Sequence, residues 1–192
     1  MANVDKPNGF TPVKMLDGSP YNGAVETYYI PTTEATAIFR GSPVKLAGGA
    51  DADGIPTVTL AATNDAAIGV AIDFGFNPDD LSQNYHPAAT GNPMYVKVAP
   101  AATVVFEIQE DSSTVFTAAD VSLNAGFTAE SGNTTTGRST IEIDCSTEHT
   151  TNTLSLQLLR LVQRPDNAFG DYAKWEVRFN DIQNANQIAG IS

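Results

Sequence analysis

"KWEVRFND", residues 174–181, decides the fold: Trp175, Val177 and Phe179 alternate with Lys174, Glu176 and Arg178. A period of two sends successive side chains to opposite faces of a strand, so this strand has one apolar face and one wet face. "STIEIDCS", 139–146, repeats the pattern, with Ile141, Ile143 and Cys145 against Thr140, Glu142 and Asp144. Antiparallel sheets allow one wet face. Further short runs rich in β-branched and aromatic residues surround these two: "AVETYYI" 24–30, "SPVKLA" 42–47, "PTVTLA" 56–61, "AIGVAIDF" 67–74, "MYVKVA" 94–99 and "TVVFEIQE" 103–110. "TLSLQLLRLVQ", 153–163, fits a strand broken by a bulge or a short helix. Its Thr and Ser and the lack of a cap motif favour the strand.

Helical signals are few. "TAADVSLNAG", 117–126, opens with Thr117 and places Asp120 three residues on, an imperfect capping box before one or two turns. Charged residues are only 17% of the 192, and Thr, Ala, Ser, Asn and Gly fill much of the rest, which suits strands and turns better than exposed helices. The expectation is a mainly β chain with little helix.

Composition also narrows the chemistry. One cysteine, Cys145, excludes an intramolecular disulfide and a multi-cysteine zinc site. His86 and His149, the two histidines, lack His or Cys neighbours at metal spacing and read as surface residues. A formal charge of −12 repels phosphate backbones, so nucleic acid is not an expected partner. There is no basic region followed by an apolar run, nor about 18 apolar residues together, so neither a secretory signal nor a membrane span is expected. No Gly-rich nucleotide loop occurs, and no cofactor is expected. "DADG", 51–54, lacks the remaining ligands of a calcium loop and reads as a hairpin turn. "DCSTEHT", 144–150, invites a hydrolase using Asp144 or Cys145 with His149. Yet Cys145 falls in the inward register and its neighbours point to the other face, so the expectation is no enzyme.

Three further stretches bear on interaction. "DKPNGFTPVKMLDGSPYNG", 5–23, combines Pro7, Pro12 and Pro20, which forbid a regular central strand, with apolar Phe10, Val13, Met15, Leu16 and Tyr21. It reads as an N-terminal arm that can neither fold by itself nor stay comfortably in water. The long loop 75–93 carries Asn84, Tyr85 and His86, candidates for a sugar platform. Arg160, Arg164, Lys174 and Arg178, four of the ten basic residues, are either a solvated face balanced by Asp166, Asp171 and Glu176 or an inter-subunit ion-pair belt.

The order of parts in "GSPVKLAGGADADGIPTVTLAATNDAAIGVAIDF", 41–74, resembles phage head decoration proteins of the β-tulip kind: a strand, a Gly-Asp turn, a second strand ending in small residues, then "AAIGVA". The start, "MANVDKPNGFTPVKMLDGSPYNG", and the end, "LRLVQRPDNAFGDYAKWEVRFNDIQ", are similar to structural proteins that accompany a major capsid protein in tailed phages. The resemblance implies a β-tulip or jelly-roll-like barrel or sandwich with an extended N-terminal arm at 1–23, a β domain at 24–115 and a C-terminal β extension at 116–192 packed on the same body. It implies a capsid cement protein, made in the host cytoplasm and bound to the outer surface of the virion shell. Its partners would be the major capsid protein and its own copies in a homotrimer. Phe10, Pro12, Val13, Met15, Leu16 and Tyr21 are the expected capsid-binding residues of the arm. The alternative is a glycan- or receptor-binding β-sandwich module of a virion head or tail.

Overall fold

A computed structural model describes residues 3–88, 91–129 and 132–185. Eleven strands are present among them: β1 Thr11–Met15, β2 Glu26–Ile30, β3 Pro43–Ala50, β4 Pro56–Leu60, β5 Gly69–Phe74, β6 Met94–Pro100, β7 Val104–Gln109, β8 Asn124–Phe127, β9 Ile143–His149, β10 Leu156–Leu161 and β11 Lys174–Phe179. They form a closed five-stranded barrel, β2-β4-β3-β5-β6, and a six-stranded sheet, β1-β7-β11-β10-β8-β9. The mainly β architecture expected from the alternating runs is the observed one.

The alternation works as its period requires. Trp175, Val177 and Phe179 on β11, and Ile143 and Cys145 on β9 with Ile141 just before it, are buried in one apolar cluster. Phe106, Ile108, Phe127, Leu156 and Leu158 complete that cluster from β7, β8 and β10. Burying a large apolar side chain contributes roughly 1.5–3 kcal/mol, so this face is what holds the sheet together. The bulge expected in 153–163 lies between Leu158 and Arg160, where the register with β11 shifts and Leu161 returns to the core. The sheet also curls until Ile143 bridges Glu110, just past the end of β7.

A second cluster fills the barrel with Tyr28, Ile30, Val44, Val58, Val96 and Val98 among others. Ala67, Val70, Ala99 and Ala101, from the β5 and β6 region of the chain, belong instead to the first cluster, so the barrel and the sheet share a wall. The "DADG" stretch makes the expected hairpin turn between β3 and β4, with the Asp51 carboxylate accepting from the backbone N–H of Asp53 and Ile55.

The segment 117–126 holds one 3₁₀ turn, Ala118–Asp120, within the one or two turns expected and capped by the Thr117–Asp120 box, which is reciprocal; the chain then becomes strand β8. Two expectations are corrected. The division at 115 gives way to one near 100–104, because β7 pairs with β1 and β11 and not with the barrel. Finally, residues 5–23 are no detached arm. The chain runs extended along the body from Asn3, buries Phe10, and then forms edge strand β1 on β7. Pro12 fits there because an edge strand tolerates a missing donor.

Candidate interaction surface around the N-terminal segment

The segment is fastened residue by residue. The Asn3 side-chain amide donates to the carbonyls of Ala168, at 2.8 Å, and Asp171, at 3.0 Å, and its oxygen accepts from the Ala168 N–H. Gln109, almost fully buried, accepts from the Lys6 N–H at 3.0 Å and donates to the carboxylates of Asp5 and Glu142. The Phe10 N–H donates to the Gly41 carbonyl at 3.0 Å. Gly9, at φ +61°, and Gly41, at φ +90°, make this crossing possible. A Cβ on Gly9 would lie 2.6 Å from the Ser139 Cβ, and one on Gly41 would lie 2.9 Å from the Asn8 carbonyl oxygen.

Phe10 ends this path inside the sheet's core, against Phe179 (ring centroids 4.9 Å apart), Phe127 (5.9 Å) and Phe106 (6.1 Å). It is therefore an internal plug and not an anchor for another subunit. Pro12, Val13 and Met15 are half-buried in β1, and Met15 and Tyr21 pack on the same core. Of the six expected contact residues only Leu16 is exposed; Val4 and Val25, which the sequence did not single out, are exposed beside it in sequence order. Between Leu16 and Tyr21 the chain makes a tight turn, with the Asp17 carboxylate accepting from the Ser19 N–H and hydroxyl.

The four cations of the C-terminal hairpin are mostly engaged at home. Arg160 grips Glu176 through two hydrogen bonds of 2.9 and 3.0 Å, and Arg164 grips Glu107 through two of 2.9 Å. Arg178 donates to the Gln157 side chain. Burial pushes the Glu176 carboxyl up, but hydrogen bonds from Arg160 and Lys14 outweigh it and hold the group below its usual range. Lys174 has no carboxylate partner among the described residues. Three neighbouring clefts along the N-terminal segment share Lys6 and Lys174.

The other candidates are dispersed. Cys145 is fully buried, and burial followed by the nearby charges of Glu110 and Asp111 pushes its thiol far up. His149 is exposed and its Nδ1 accepts from the Thr151 N–H, while the Asp144 carboxylate accepts from Ser146. Among the described residues no three His, Cys, Asp or Glu side chains gather at metal-binding distance. His86 is not a surface residue. It is fully buried, its backbone bridges Ile38, and burial lowers the pKa of its ring. Tyr85 is stacked on Phe39 with ring centroids 4.8 Å apart, and Asn84 donates to the Thr136 carbonyl, so these three do not form an open platform. Phe76 and Leu81, each about three-quarters exposed, are the large apolar side chains that the described residues of that loop present.

Glu110 escaped the sequence reading altogether. It is fully buried and accepts the Trp175 indole N–H at 2.9 Å. Burial pushes its carboxyl up to about 7, and Asp111 nearby adds to the rise, against the hydrogen bond from Trp175. No family model, curated protein or solved structure matches the chain.

Proposed function

We propose that this protein is a capsid decoration protein of a tailed bacteriophage, which binds the outer surface of the shell and bridges neighbouring major capsid protein subunits. The observation that carries this reading is the division of labour within residues 3–25. Phe10 and β1 lock the segment to the body, while Val4, Leu16 and Val25 keep apolar side chains in solvent. A cement needs both: a contact surface that is already ordered, and apolar groups on it. Pre-ordering lowers the entropy cost of binding, which is roughly 1–2 kcal/mol per residue for a segment ordered only on contact. β1 is also the terminal strand of its sheet, with the Lys14–Pro20 bridge as the pairing seen on its outer side among the described residues. Such an edge can accept a strand from a neighbour.

Binding the assembled lattice but not its dissociated subunits stabilises the shell by RT ln(1 + [L]/Kd), about 2.7 kcal/mol per site at a hundredfold excess over Kd. The test is sedimentation of purified protein with capsid shells, using Val4→Ser/Leu16→Ser. Both side chains are exposed, so the melting temperature should stay at the wild-type value while shell binding falls. Normal decoration by the double variant would oppose the role given to this segment. Exposed Phe76 favours a second reading, a glycan-binding module, which glycan-array binding that is lost in Phe76→Ala would support.

A further inference from the structure

Five of the ten basic residues sit in ion pairs: Lys14 and Arg160 with Glu176, Arg40 with Asp73, Lys45 with Asp65, and Arg164 with Glu107. Among the other five, Arg178 is bonded to Gln157 and Lys97 stands exposed on the barrel. The remaining three, Lys6, Arg138 and Lys174, line a single open cleft of about 730 Å³. None of them has an ion-pair partner among the described residues. In a chain with 22 acidic and 10 basic residues, three cations without a carboxylate partner among those residues, all on one cleft, run against the numbers. Among the described residues Asp5 is the one carboxylate lining this cleft, and it already accepts from Gln109.

The cleft is not an isolated dent. Lys6 and Lys174 also line a second cleft of about 330 Å³, together with the ion-paired Arg164 and with Asp166, and it continues past exposed Val4 and half-buried Tyr172. Asn8 and Asn133 contribute amides and Thr136 a hydroxyl to the first cleft, groups able to bond a peptide backbone. We propose that this groove binds a short acidic peptide segment, its carboxylates on Lys6, Arg138 and Lys174 and its backbone on the amides and hydroxyls. Two connected clefts are longer than a free inorganic anion needs. A polyphosphate chain leaving the groove would meet the repulsive field of a body with net charge −12, whereas a peptide carries its charge only where the cations are. Assigning the segment to a capsid subunit rests on the cement role.

The experiment uses the full chain and a fluorescent peptide of three glutamates alternating with serines, read by anisotropy at low and high salt. Wild type should bind, more weakly as salt rises, and Lys6→Gln/Lys174→Gln and, separately, Arg138→Gln should each weaken binding by about tenfold. Lys97→Gln should leave it unchanged. Absence of binding, equal binding by all variants, or tighter binding of inorganic phosphate or oligo-dT under the same conditions would overturn the proposal. Because no shells are present, the outcome is separable from the cement role. Peptide binding with no shell binding would sink the cement role and leave the groove standing.

Discussion

A carboxyl group removed from water resists ionisation, and Glu110 has been removed completely. Its folded pKa near 7 lies above the ordinary 4.5, so the folded chain holds this proton more tightly than the unfolded one. The stability this contributes is fully present below about pH 4.5 and is lost as pH rises through about 7. Glu110→Gln keeps an acceptor for the Trp175 indole and removes the charge. The variant should be the more stable protein at pH 8, with a flatter pH dependence between 5 and 8, in denaturant melts followed by the fluorescence of Trp175, the chain's one tryptophan. Parallel pH profiles for the two proteins would count against this. In "FEIQEDSS" the period of two places Glu110 in the inward register of Phe106 and Ile108, but a carboxylate just past the run reads as the polar end of the strand; the approach of Ile143 and of the Trp175 indole encloses it.

At the scale of elements, the N-terminal segment is held by one aromatic plug more than by its hydrogen bonds. Phe10→Ala removes a ring packed on three others and should cost about 3–5 kcal/mol, measured as a drop in the urea midpoint. A loss below about 1 kcal/mol would mean the segment is detached in solution. On the outer face, Glu176 joins Lys14 of β1 and Arg160 of β10 through β11. Glu176→Gln should cost about 1–2 kcal/mol at neutral pH, discounted for the exposure of Arg160. Because its folded pKa is depressed, that contribution is present above about pH 4.5 and fades as pH falls below it, so acid melts of variant and wild type should converge. Strands with one wet face were legible because their alternation survives in the sequence: β9, β10 and β11 were all read, β10 with its bulge. β8 was not, since all four residues of "NAGF" are buried and a strand covered on both faces shows no period. β1 was hidden by Pro12, which excludes a central strand but not an edge one, and His86 by the simple fact that a lone histidine carries no mark of its burial.

For the whole molecule, the barrel and the curled sheet share a wall, and the segment from Asn3 onward crosses between them where the Phe10 N–H meets the Gly41 carbonyl. Repeated copies on a lattice would act together, and a closed cyclic trimer is the expected solution state. Light scattering at micromolar concentration should report three protomers; a monomer both there and on shells would exclude it. The candidate surface was only half legible. Apolar content located the segment in the sequence, but which of its residues face inward depends on Gly9 and Gly41 letting the chain cross and on the ring cluster that receives Phe10. The most direct test of the cement role is the temperature at which capsid shells open with and without this protein bound. Decorated shells should open several degrees higher than bare ones, with resistance restored when the purified protein is added back; identical opening temperatures would contradict it.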